Sequence, residues 1–127
     1  MEVYFDNAAT TPMRAEVISA MHEVMQTAYG NPSSTHGFGR AAKGLLENAR
    51  KSIATHFNAS AQEIIFTSGG TESDNMILRC AVKDLGVTTI ISSPLEHHAI
   101  LHALDQLEAE GVTVHYVDHD ADGAINY

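Results

Sequence analysis

Glu63-Ile64-Ile65-Phe66-Thr67-Ser68-Gly69-Gly70-Thr71-Glu72-Ser73-Asp74-Asn75 joins an apolar, β-rich run to two glycines, and a helical pattern begins straight after them. Read this way, residues 63–67 are a strand and residues 71–85 a helix closed by Gly86. A strand-to-helix joint of this kind aims unpaired backbone N–H groups at one point, together with the Ser68, Thr71 and Ser73 hydroxyls. The helix start carries a partial positive charge and suits a phosphate, and glycine lets a ligand approach the backbone where a Cβ would obstruct it. Neither Gly-Lys-Ser/Thr nor GxGxxG is present, which sets aside two common phosphate loops. The same residues also read as a well-capped helix: Thr71 and Asp74 fit the S/T-x-x-D box, and Glu72 and Asp74 suit the dipole. Local chemistry fits a phosphate cradle and a plain cap equally.

Outward from this joint the chain alternates helices and strands. Thr11-Pro12 is a helix start, and Val17, Ile18, Met21, Val24, Met25 and Ala28 follow at helical spacing until Gly30-Asn31-Pro32. A second helix is expected from Phe38 to Phe57, with Ala42, Leu45, Leu46, Ala49 and Ile53 on one face, ended by Asn58-Ala59-Ser60. Residues 87–92 form a strand broken by Pro94. A helix from His97 to Glu110 ends at Gly111, a strand spans 112–117, and 118–123 is a turn. Strands separated by helices indicate βαβ units and a parallel sheet. The nearly continuous apolar character of two strands suits burial on both faces. The fold class is α/β.

Composition narrows the function. The 127 residues, 44% of them hydrophobic, suffice for a core in at most one ordinary domain. A net charge of −9 argues against nucleic acid or an anionic membrane as partner. Neither a signal-like leader nor an apolar run near the ~18 residues of a membrane span occurs. The single cysteine excludes an intrachain disulfide and agrees with a reducing, cytoplasmic setting.

Four ordered motifs carry a more specific message. They are Tyr4-Phe5-Asp6-Asn7-Ala8-Ala9-Thr10-Thr11-Pro12, Gly30-Asn31-Pro32-Ser33-Ser34-Thr35-His36, Phe66 to Asn75, and Leu95-Glu96-His97-His98-Ala99-Ile100. Together they resemble the N-terminal part of the cysteine desulfurases of the NifS/IscS type, within the class V aminotransferase-like, fold-type I pyridoxal-phosphate enzymes. The resemblance covers essentially the whole chain.

It implies a truncated large domain, mainly parallel sheet flanked by helices. Residues 1–11 would be an arm bordering the active site with the small domain, and residues 12–127 the first part of the pyridoxal-phosphate domain. Gly70 and Thr71 match the positions that hold the cofactor phosphate, and His97 matches the histidine lying over the pyridine ring. Both places follow strand ends, where open α/β sheets put their ligands. Taken alone, a histidine at a helix start is more often of no consequence. The resemblance also implies L-cysteine as substrate, a homodimer, and sulfur-acceptor proteins serving iron–sulfur cluster assembly or thiolation. A selenocysteine lyase, a class V aminotransferase, or a non-catalytic chain that pairs with another are the alternatives.

No catalytic residue is assigned in this stretch. The family's Schiff-base lysine, its pyridine-nitrogen acid and its persulfide cysteine come later in such proteins, so the isolated chain is expected to be inactive. Lys43, Lys51 and Lys83 match no motif. His98 and His102 stand at i, i+4, but a third ligand and a His-Glu-x-x-His context are missing, so no metal site is assigned. Asp118-His119-Asp120-Ala121-Asp122-Gly123 imitates the start of an EF-hand loop after a strand and reads as a solvated turn. Cys80, among Met76, Ile77, Leu78 and Val82, reads as a small core residue.

Overall fold

Two compact units, Met1–Ile65 and a second from Phe66 onward, make up the computed structural model, which describes residues 1–126. In the first unit, helix α1 covers Ala15–Thr27 and α2 covers Gly37–His56, followed by a 3-10 turn at Ala61–Glu63. Helix α1 starts later than Thr11-Pro12 suggests. Arg14 takes the N-cap position with extended backbone (φ −63°, ψ 144°) and no side-chain cap. Proline's fixed φ suits an extended segment as well as a first helical turn, and here Pro12 lies outside the helix. The apolar stripe of α1 is real, but none of its residues is buried.

Helix α2 lies where its pattern puts it. His36 caps it through Nδ1, which accepts from Gly39 N–H at 3.4 Å. At the other end Asn58 takes a left-handed φ of 50°, and Ala59 N–H donates to Ala54 O at 2.9 Å, as in a Schellman closure. Ala42 and Ala54 are buried. The Asn31–His36 loop is folded tightly over the helix start. A Cβ on Gly39 would lie 2.3 Å from Ser34 O and 2.7 Å from Asn31 O, and one on Gly30 would lie 2.4 Å from Phe38 O. These are backbone atoms, which cannot swing aside.

The second unit contains α3 (Gly70–Lys83), β1 (Thr89–Ser92), α4 (His98–Ala109) and β2 (Thr113–Tyr116). Strands β1 and β2 pair in parallel, Thr89 opposite Thr113 and Ser92 opposite Tyr116, with α4 as the crossover between them. This is the expected βαβ unit. Helix α4 supplies most of the core: Ala99, Ala103, Leu104 and Leu107 are buried, with Val112 just beyond. Leu104 and Leu107 are fully enclosed, and each such side chain contributes roughly 1.5–3 kcal/mol. Gly111, at φ 99°, ends the helix, with Val112 N–H donating to Leu107 O at 3.0 Å.

Two expectations fail here. Residues 63–67 do not form a strand: Glu63 closes the 3-10 turn, and the residues after it lack a ladder. The sheet of the described residues has two strands only. β propensity without a neighbouring strand leaves an extended segment, and Ile64 is extended (φ −93°, ψ 119°), its carbonyl accepting from Arg50 Nη1 instead. Nor are the strands buried on both faces. Accessibility alternates along β1, and Ile91 is 72% exposed, with α4 packed, of the two strands, against β2 alone.

The loop geometry gives a paired expectation. Gly39→Ala should destabilise the chain by about 1–3 kcal/mol through overpacking against backbone. Gly44→Ala, on an open stretch of α2 where a Cβ meets nothing within 4 Å, should stabilise it by about 0.4–1 kcal/mol. Urea unfolding of both variants checks this, and equal midpoints would show that the loop yields freely.

Candidate functional site

The two sequence motifs of the second unit meet at helix starts. The first bond of the α3 ladder runs from Ser73 N–H to Gly69 O at 3.2 Å, so the N–H groups of Gly70, Thr71 and Glu72 precede it and have no helical acceptor. Gly69 holds the N-cap position without a side-chain cap. A Cβ built on Gly70 meets no atom within 4 Å. The space in front of this turn is open.

The hydroxyls do not converge as the sequence suggests. Ser68 Oγ donates to Glu72 Oε2 at 2.8 Å, and Ser68 N–H donates to the same oxygen at 2.6 Å. Ser73 Oγ lies 2.7 Å from Thr67 Oγ1. The box expected between Thr71 and Asp74 is absent, because the N-cap is Gly69, two residues before Thr71, which puts Thr71 inside the first turn. A carboxylate four residues on closes the loop in its place. Accepting these two bonds holds the Glu72 carboxyl below the ordinary glutamate value of 4.5, the backbone N–H having the larger effect. Of the three hydroxyls, that of Thr71 remains uncommitted.

Helix α4 opens on His97, whose extended backbone (φ −63°, ψ 148°) makes it the N-cap. Its Nδ1 accepts from Ala99 N–H at 3.1 Å. An acceptor at Nδ1 requires the neutral tautomer with its proton on Nε2. Thr71, Asn75, His97, His98, His102 and Gln106 are among the residues lining one open cleft of about 300 Å³. Thr71 and His97, far apart in sequence, thus share a cavity, while Gly70 adjoins it through the chain. Sequence reading missed Asn75, although its place four residues after Thr71 puts both on one helix face. Its Nδ2 donates to Thr71 O at 3.0 Å and to Ala99 O at 3.4 Å.

His98 and His102 stack with ring centroids 5.5 Å apart. Among the described residues no group of three metal-ligating side chains comes together. Cys80 is exposed instead of belonging to the core, since the α4-facing side of α3 carries Asn75 and Arg79, bonded to Ala99 O and Gln106 Oε1. A hydrogen bond to Asp84, with some burial and the charge of that carboxylate, pushes the Cys80 thiol upward. Asp120 Oδ1 accepts from Asp122 N–H at 3.0 Å and Ala124 N–H at 2.9 Å, which makes 118–123 the turn that was expected.

What the fold and these helix starts define is an α/β chain with a βαβ unit and an open cleft beside uncommitted backbone donors. The family pattern described as "Aminotransferase class-V" matches residues 3–127, and the chain belongs to that family. Among curated proteins it is 44% identical over 127 residues to the "Putative cysteine desulfurase IscS 1" of Bacillus subtilis (strain 168), covering 98% of this chain and 33% of that protein. It is 45% identical over 127 residues to the "Cysteine desulfurase IscS" of Dictyoglomus turgidum, covering 98% and 32%. A solved "NIFS-LIKE PROTEIN" superposes with a TM-score of 0.91 at 40% identity, over 99% of this chain and 35% of that one. The α/β expectation and the NifS/IscS resemblance are thereby borne out. The chain spans about a third of the length of these relatives. No helix of the described residues is long and apolar enough to cross a membrane.

The Glu72 cap has a pH signature. Its carboxyl value is lowered on folding, so its contribution is complete above the unfolded value near 4.5 and is lost as pH falls through the folded value. Amide exchange at Ser68 should therefore accelerate below about pH 4.5 beyond the intrinsic trend. In Glu72→Gln that extra dependence should vanish; its persistence would place the titrating group elsewhere.

Proposed function

We propose that Gly70, Thr71 and His97 hold pyridoxal 5'-phosphate, as part of a cysteine desulfurase acting on L-cysteine. The observation that carries this reading is the meeting of Thr71 and His97 on one open cleft beside unpaired helix-start donors. The residues present suit the group. Three backbone N–H groups and one hydroxyl offer donors to a phosphate, and the carboxylate of the first turn, Glu72, is tied to Ser68. His97 offers a neutral ring face to an aromatic ligand and keeps a proton at Nε2, where it can be passed on. When bound, the cofactor supplies an electron sink for bond changes at the substrate carbons.

In this reading L-cysteine yields L-alanine, and its sulfur passes to an enzyme thiol as a persulfide. The lysine and cysteine that reaction needs are not assigned to any residue of this chain: Lys83 pairs with Glu110 at 3.6 Å, and Cys80 stands against Asp84. Residues 1–11 as an arm at the active-site border, a homodimer, a cytoplasmic location, sulfur-acceptor proteins and iron–sulfur cluster assembly belong to the same proposal.

Magnitudes define the role of these residues. A helix-start contact contributes about 0.3–2 kcal/mol and ring stacking about 0.5–1.5 kcal/mol. Micromolar binding needs about 8 kcal/mol. The three residues therefore orient the cofactor more than they anchor it, and the 127-residue chain by itself should bind it more weakly than micromolar.

Variants in the complete enzyme separate site from scaffold. A Cβ at Gly70 meets no atom within 4 Å, so a fall in cofactor occupancy in Gly70→Ala and further in Gly70→Val, at unchanged melting temperature, would report the ligand's own volume; Thr71→Ala should lower occupancy as well. His97→Asn keeps a good N-cap but removes the ring, and should cut turnover about 10²–10⁴-fold with little change in melting temperature. His98→Ala should do little. Full occupancy in Gly70→Val, or equal behaviour of the two histidine variants, would reduce these helix starts to caps.

A further inference from the structure

Asn75 joins the two halves of the cleft. Both partners of its side chain are carbonyl oxygens, Thr71 O at 3.0 Å within its own helix and Ala99 O at 3.4 Å across on α4. Carbonyls only accept, so the group between them must be the amide NH₂, whose two hydrogens serve the two acceptors. Each acceptor belongs to a residue of the site or to its immediate support. Thr71 carries the uncommitted hydroxyl, and Ala99 N–H is the donor that fixes His97 Nδ1 at 3.1 Å. The side chain is half-buried and itself lines the cleft.

Other polar links between α3 and α4 lie further from the helix starts, although Gln106 also lines the cleft. Arg79 bonds Gln106, and Arg79 and Lys83 reach Glu110 at 3.9 and 3.6 Å. These are surface pairs of small energetic weight, roughly two to four turns from the helix starts. They cannot fix the opening where Thr71 and His97 face the cavity.

We infer that Asn75 is a positioning residue: its amide sets the separation of the phosphate contact at Thr71 from the ring contact at His97. The inference rests on the proposed pyridoxal-phosphate reading. Its physical content is a coupling. A ligand that touches both helix starts gains from their correct spacing, as two linked contacts gain from a matched linker, whereas a ligand touching one start does not depend on the other.

The test uses the apo form of the complete enzyme and three probes: pyridoxal 5'-phosphate, pyridoxal, and inorganic phosphate. Asn75→Asp keeps the shape and removes both donors; Asn75→Ala removes them without adding charge and stands in if the aspartate variant fails to fold. Both should bind pyridoxal 5'-phosphate roughly tenfold more weakly. In Asn75→Ala, which adds no charge, pyridoxal alone and phosphate alone should each stay within about twofold of the unaltered enzyme. Equal loss for phosphate alone would make Asn75 a support of the α3 turn only, and unchanged pyridoxal-phosphate affinity would remove its role; either overturns the inference while leaving the cofactor reading intact. Failure of the unaltered enzyme to bind pyridoxal 5'-phosphate would overturn both.

Discussion

The second unit depends on one stripe of small and medium apolar side chains along α4. Ala99 and Ala103 allow α3 to approach closely, and Leu104 and Leu107 fill the interior beneath. Helix packing distance follows side-chain size at the contact, so alanines near the start of α4 bring its first turn close to that of α3. Close approach lets a side chain as short as Asn75 reach a carbonyl of the neighbouring helix. The cleft is a consequence of that packing: its floor includes Ala99 and Ala103, and its rim is polar.

Helix starts impose a second constraint, because their unpaired N–H groups need acceptors. The chain meets it differently at different places. At α2 and α4 a histidine Nδ1 accepts from the first turn, and at the 3-10 turn Glu63 folds back on Ser60. At α3 the returning carboxylate of Glu72 serves Ser68, one residue ahead of the cap position, and leaves the donors of the first turn free. That displacement separates a cap from a cradle. Water can occupy such donors in the meantime, and an anion with several acceptor oxygens can replace it.

The helices were legible because each pattern carried its own ending. Asn58, Gly86 and Gly111 all take left-handed backbone just past the helices they terminate, as small or polar residues at such positions foretell. The strand at Thr89–Ser92 was legible for its β-branched run. The strand expected at 63–67 was not, although its composition is equally apolar, because a strand exists only through its neighbours and no local pattern names them. The start of α1 failed for a related reason, since a proline after a threonine fits both an extended arm and a first helical turn. At the site, Thr71 and His97 were identified by motif, and their common cavity required the α3–α4 packing. The fate of Ser68 and Ser73 turned on a cap at Gly69 in place of Thr71, a shift finer than any pattern resolves. Asn75 lay within the quoted motif, but its value comes from Ala99, 24 positions away.

Cys80 and Ile91 illustrate how much of an apolar pattern depends on context. Both sit in runs that read as core, and both are exposed, Ile91 at 72%. The same holds for Val17, Ile18, Met21, Val24 and Met25 on α1, each at least 41% exposed. Periodicity identifies the face that prefers to leave water, while burial also needs an opposing surface. The cleft obeys a different rule. Its donors are backbone groups and an asparagine amide, whose hydrogen-bonding character stays fixed across ordinary pH, so its geometry depends on where two helices begin and not on charge. Among the proposed contacts His97 accepts from Ala99 N–H through Nδ1, which leaves its ring proton on Nε2. An aromatic ligand therefore meets a stacking face whose tautomer is set by the helix it caps.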